Sequence, residues 1–168
     1  MLHYSINKLR TNRNAFEQLL SGLDREEYNW REREVKWSLI EVVCHLHDEE
    51  IEDFRARVKS VLDTPEKSFV QIDPAGWVAE RKYADQDFHR ILAAFLAERD
   101  KSIEWLSSLT DPKWDNAYNH PKVGPVSARF LLTNWLAHDY LHIRQIIRIN
   151  YNYLHFYSGH NLDYAGEW

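Results

Sequence analysis

The stretch Leu131-Leu132-Thr133-Asn134-Trp135-Leu136-Ala137-His138-Asp139-Tyr140-Leu141-His142-Ile143-Arg144-Gln145-Ile146-Ile147-Arg148-Ile149 decides how this chain folds. At 3.6 residues per turn, Leu131, Trp135, His138, His142, Gln145 and Ile149 fall on one stripe with 4-3-4-3-4 spacing. Such a stripe is the seam of a helix against a core, and polar residues stand in the middle of this one. The helix is expected from about Ser127 to at least Ile149, after the turn-rich connection Asn119-His120-Pro121-Lys122-Val123-Gly124-Pro125.

Three further segments share the helical period, and no segment of useful length alternates like a strand. The first runs from about Ser5 to Leu23 on Ile6, Leu9, Phe16, Leu19, Leu20 and Leu23. The second starts at Ser38, with Glu41 three residues on as a capping box and Trp37 in the staple position. It continues through Leu39, Val42, Val43, Leu46, Phe54, Val58 and Val61 to a stop at Pro65. The third runs from about Asp85 to Leu109 and is broken by Asp111-Pro112. Between the second and third lies a polar loop, about Asp63 to Tyr83, long enough for a crossover or a lid. After Ile149 comes an aromatic tail, from about Tyr151 to Trp168, with no clear period. These elements specify an all-α four-helix bundle forming a single domain over residues 1–168.

Composition agrees. At 168 residues the chain has a one-domain length and can bury roughly 70% of its unfolded surface. Five Gly and five Pro are too few for the turns of a sandwich or barrel. The net charge of −5 argues against a broad phosphate-binding surface, so no nucleic-acid partner is expected. The lone cysteine, Cys44, has no internal disulfide partner. With no signal-peptide core at Met1 to Lys8 and no membrane-length apolar run, a cytoplasmic location is expected.

His138 and His142, at i and i+4 on the seam, can reach one ion from adjacent turns. With nine His in the chain, about half such a pair arises by chance, so placement on the apolar seam gives the spacing its weight. Two buried imidazoles need partners: carboxylates on a neighbouring helix, or a metal. The second helix offers His45-Leu46-His47-Asp48-Glu49-Glu50. His45 and Glu49 line one border of its apolar stripe, and His47 falls away towards solvent. A third imidazole, from His45, completes an open three-histidine site with one position left for water or substrate; the alternative is His45 paired with Glu49. Glu49, Asp48 and Asp139 are candidates to fix histidine tautomers. Glu50 and Asp53 fall inside an apolar stripe, so they either pair with arginine or supply a general base. Gln145 either orients a bound water or substrate, or fills a polar gap. Cys44 points about 100° away from His45 and is not counted as a ligand. Trp135, one turn before His138, is either a core anchor or a wall of the site. Neutral imidazoles without a thiolate suit Zn, Ni, Fe or Co.

Trp37-Ser38, His45-Leu46-x-Asp48-x-Glu50, His120-Pro121-x-x-Gly124 and His138-Asp139-x-x-His142-x-x-Gln145-Ile146 together resemble the DinB-like (YfiT-like) metalloprotein superfamily, over about Ser5 to Ile149. That resemblance implies up-down-down-up connectivity with the crossover after helix two, frequent homodimers, and a divalent ion on His45, His138 and His142. Several members of that superfamily are transferases or isomerases using a low-molecular-weight thiol. The function expected is therefore a metal-dependent transferase or hydrolase acting on a small molecule, with Glu49 and Gln145 as catalytic candidates. The alternative is a non-catalytic metal-binding or structural bundle.

Overall fold

The structure, a computed structural model, describes residues 2–166, so the end of the aromatic tail at Glu167 and Trp168 lies outside it. Helix α1 spans Leu2–Leu20, ending three residues before the expected Leu23, and a short α2 spans Arg25–Asn29; Gly22, at φ +76°, turns the chain between them. Helix α3 (Leu39–Glu49) begins where the capping box places it. There the Glu41 carboxylate accepts from the Ser38 backbone N–H (2.8 Å) and hydroxyl (3.0 Å). It runs into a π-helical segment (Glu50–Arg55) and then α4 (Ala56–Asp63).

The connection expected as a plain loop carries helix α5 (Pro74–Glu80) and a 3₁₀ turn (Tyr83–Asp85). Asp73 caps α5 through the Gly76 N–H, with Pro74 in the first turn, where its missing N–H costs nothing. Helix α6 (Phe88–Ser108) is capped by Asp87, which accepts from the Arg90 N–H at 2.8 Å. Two four-residue strands, β1 (Ala117–His120) and β2 (Gly124–Ser127), form an antiparallel hairpin where none was expected. Strands this short show too little alternation to stand out beside Pro121 and Pro125. Gly124, at φ +78°, closes the hairpin, and Ser127 passes directly into the cap of helix α7 (Ala128–Ser158), accepting from the Phe130 N–H at 3.1 Å. Residues 151–158, expected as part of an unpatterned tail, are the last two turns of α7.

Helix α1 packs on α6 and α7, α3 packs on α6, and α4 packs on α7. Two apolar clusters result, one around Phe16, Leu39, Val43, Phe95 and Ile146, the other around Leu9, Val58, Leu106, Leu132 and Trp135. Between them lies a layer of buried polar residues from all four long helical segments: Asn12, Glu50, Arg99 and Asp139. Arg99 donates to Asp139 through both terminal nitrogens (2.7 Å each) and to Glu50 through Nε (2.9 Å). Asn12 donates to Asp139 at 2.9 Å, and the Trp135 indole donates to Glu50 at 3.0 Å. Every charge in this layer has a partner, which is the condition for leaving it in a dry core. No helix among the described residues is long and apolar enough to cross a membrane.

Candidate metal centre

Leu46, Glu50, Phe54 and Val58 are all buried at a spacing of four. On an α-helix that spacing drifts by about 40° per step. The wider turn of the π segment takes up the drift. Consequently the adjacent residues Glu49 (6% exposed) and Glu50 (1%) both face the interior, in different directions. Glu50 reaches Arg99, the arginine partner its position calls for. Glu49 reaches the histidines.

Those histidines converge. His45 Nε2 lies 3.3 Å from His138 Nε2, which lies 3.0 Å from His142 Nε2. One ligand atom from each of the three rings falls within 4.8 Å of the others. Nitrogens at about 2.0–2.1 Å from a tetrahedral ion stand roughly 3.3–3.4 Å apart, so these separations fit one ion with little movement. The electronic state fits as well. Burial, reinforced by His142, lowers the His45 pKa to about 4. Burial, with His142, His45 and Arg99 adding to it, lowers His138 further. Burial also lowers His142, against the raising effects of Gln145 and Asp139. All three rings are therefore neutral at pH 7 and offer lone pairs.

The tautomer of His142 is set by Gln145, whose amide oxygen accepts from Nδ1 at 2.8 Å and leaves Nε2 as the lone pair. Gln145 thus holds the ring. His45 Nδ1 is buried without a hydrogen-bond partner, and the ring is held by packing, with Trp37 at 5.0 Å between centroids. Phe54 stands 4.9 Å from the His138 ring on the other side. Neither aromatic was singled out from sequence as a wall of the site. Only their places, one just before the α3 cap and one two turns beyond His45, hinted at it.

Glu49 does not pair with His45. Its Oε2 lies 3.6 Å from His138 Nε2. Burial first, then the neighbouring Asp53, pushes its carboxyl up to about 7, with Arg57 pulling the other way. Asp53 pairs with Arg57 of its own helix at 2.9 Å, so Glu49, Asp53 and Arg57 form a ladder down one face.

Other expectations are redistributed. Asp48 and Asp139 fix none of the three histidines: Asp139 belongs to the Arg99 layer. Asp48 accepts from Tyr83 Oη and Arg81 (2.7 Å each) and pairs with His47. That contact makes His47 half-buried, where solvent was expected. Trp135 is fully buried and stacks on Phe54 at 5.9 Å, which makes it a core anchor. Cys44 is buried beside the Tyr83 carbonyl, its thiol pushed up to about 12 chiefly by burial, and takes no part in the histidine group. His120 ends strand β1, and its ring accepts from the Lys122 N–H in the hairpin turn; His155 and His160 are exposed. The 64–72 loop roofs a cavity of about 610 Å³ against Ile51, Ala56 and Arg57; the three histidines do not line it. His138, its side chain 18% exposed, is the most exposed of the three, while His142 and Gln145 line a depression of about 630 Å³.

A bundle with three convergent neutral imidazoles from two facing helices defines a class of histidine-bearing helical proteins able to hold a divalent ion. The chain belongs to the DinB superfamily, whose family profile matches residues 8–146. Among solved structures it is similar in fold to YfiT from Bacillus subtilis, described as "a probable metal-dependent hydrolase with an unusual four-helix bundle topology". The TM-score is 0.79 at 19% identity, over 90% of this chain and 86% of that one. A search of curated proteins gives no significant match.

Proposed function

We propose that this protein is a divalent-metal-dependent enzyme acting on a small molecule, with hydrolysis as its reaction and His45, His138 and His142 as the ligands. The observation that carries this is the convergence of three neutral imidazole nitrogens with no fourth His, Cys, Asp or Glu in the group among the described residues. A closed structural site has four protein ligands, whereas a catalytic one leaves a position open. The donor set suits Zn, Ni, Fe or Co.

When bound, a divalent ion supplies Lewis-acid polarisation and lowers the pKa of a water or thiol beside it towards neutrality. The chain's own residues do the rest. Glu49, next to His138 and with a carboxyl near pH 7, takes the nucleophile's proton and returns it to the leaving group. Asp53, itself paired with Arg57, stands beside that carboxylate and positions it. Gln145 keeps the His142 lone pair aimed inward. Trp37 and Phe54 flank the rings and restrict water.

The same residues serve thiol transfer, with Glu49 taking the proton of a low-molecular-weight thiol. We also propose a homodimer and an up-down-down-up order for the bundle. The order is supported by contacts in which numbering rises together along α3–α4 and α6 (Glu50 with Arg99, Arg55 with Ser102) and in opposite senses along α1 and α6 (Arg13 with Asp100, Phe16 with Phe95). A second reading, a non-catalytic metal staple, is favoured by the closeness of Glu49 to His138, from which it could serve as a fourth ligand.

The test is a panel of esters, amides and thiol-transfer substrates assayed with zinc-loaded wild type and Glu49→Gln. Hydrolysis by wild type that falls about 100-fold or more in kcat in E49Q, with metal content retained, is the expected result. Turnover confined to the thiol-transfer arm replaces hydrolysis with that reaction. An inactive wild type, with metal lost from E49Q, establishes the staple.

A further inference from the structure

The depression beside His142 is lined by Leu141, His142, Arg144, Gln145 and Arg148, and none of these is acidic. In a chain with 26 acids against 21 Lys and Arg, about half of the arginines pair with a carboxylate. Seven of the thirteen do: Arg13, Arg31, Arg55, Arg57, Arg81, Arg99 and Arg129. Arg144 and Arg148 have no hydrogen bond or ion pair among the described residues. They stand one helical turn apart, an unfavourable placement for two like charges unless something negative sits between them. Guanidinium forks at that spacing can close on one carboxylate, phosphate or sulfonate from both sides. Leu141, 54% exposed, offers an apolar contact beside them.

We infer that Arg144 and Arg148 bind an anionic group of the substrate in the depression beside His142 and Gln145. This deepens the metal-enzyme reading and rests on it only for what happens after binding. The anchor itself needs no ion.

The probe is benzenesulfonate, an anion that coordinates metals weakly, titrated calorimetrically into untagged full-length protein, both metal-free and zinc-loaded. Methyl phenyl sulfone serves as its neutral counterpart, and R144A/R148A and R144K/R148K as the variants. The expected result is sulfonate binding by both forms of wild type, weakening with added salt. It should fall tenfold or more in R144A/R148A and by less in R144K/R148K, with no comparable binding of the sulfone. Both side chains are exposed, and an unchanged thermal midpoint confirms that the variants fold. Failure of wild type to bind the sulfonate, equal binding by R144A/R148A, or equally tight binding of the sulfone each overturns the inference. Elemental analysis of the same samples separates the two ideas. Absence of zinc with arginine-dependent sulfonate binding removes the metal reading alone; zinc present with arginine-independent binding removes the anion site alone.

Discussion

Two buried polar clusters draw on adjacent residues of the same two facing helices, and they are built in opposite ways. In one, Arg99 is held by Glu50 and Asp139, Asp139 by Asn12, and Glu50 by Trp135, so that charge and hydrogen-bonding capacity are matched inside the core. In the other, three imidazoles turn lone pairs towards a common point, with one carboxylate at its edge. Neighbouring residues supply them: Glu50 and Asp139 to the first, Glu49 and His142 to the second. The difference separates architecture from chemistry. A saturated layer fixes the register of four helices and has nothing left to offer a ligand. An unsaturated group adds little to folding and keeps its donors free.

The largest expected effect breaks the saturated layer. Arg99→Leu leaves Glu50 and Asp139 buried without their cation, and should cost about 3–5 kcal/mol in denaturant unfolding. A loss below about 1 kcal/mol, the size of an ordinary substitution, would erase the contrast between the two clusters. Trp135→Phe keeps the ring and removes one donor to Glu50; a smaller loss, about 1–3 kcal/mol by the same measurement, is expected.

On the unsaturated side the readout changes. Gln145→Leu removes the group that orients His142 and should weaken metal affinity by about 10–100-fold in competition with a chromophoric chelator. The stability of the metal-free protein should hardly move. A drop in stability with unchanged affinity would place Gln145 with the architecture instead.

The smallest effect is on pH dependence. The three histidines have folded pKa values below the unfolded value near 6.5, with His45 at about 4. The unfolded chain therefore binds more protons between about pH 6.5 and 4, and their contribution is complete above 6.5 and lost as pH falls through that window. Glu49, raised to about 7, and Asp53, also raised, act in the opposite sense, since the folded state holds their protons longer. The desolvated histidines drive a loss of stability of the metal-free protein on acidification, and the raised Glu49, Asp53 and Glu27 oppose it. Denaturant midpoints measured from pH 7 to 5 should fall, and the slope should shrink in His138→Leu. A flat profile contradicts the neutral, desolvated state of the rings.

Much of this could be read along the chain because it depends on spacing within one helix. The α7 seam placed His138, His142 and Gln145 on one stripe, and Ser38 with Glu41 placed the start of α3. The intrusion of Glu50 into an apolar stripe announced a buried partner. What spacing along one helix does not encode is which neighbour answers. Arg99 was the unread half: it stands in line with Leu92, Phe95, Ile103 and Leu106, where a buried cation should point to buried carboxylates opposite. The π segment was written as the four-residue steps from Leu46 to Val58, yet a fixed period of 3.6 hides it. That same fixed period sent His47 to solvent and left Glu49 beside His45, when the tertiary fold gives them to Asp48 and His138. The hairpin and α5 were too short to show a period at all.

The most direct measurement is elemental analysis of protein purified without an affinity tag and then offered zinc or nickel, for wild type beside His138→Ala and His142→Ala. Close to one ion per chain in wild type, lost in both variants while their folding persists, is the expected result. Wild type that takes up no ion, or variants that keep it, would contradict a metal centre at His45, His138 and His142.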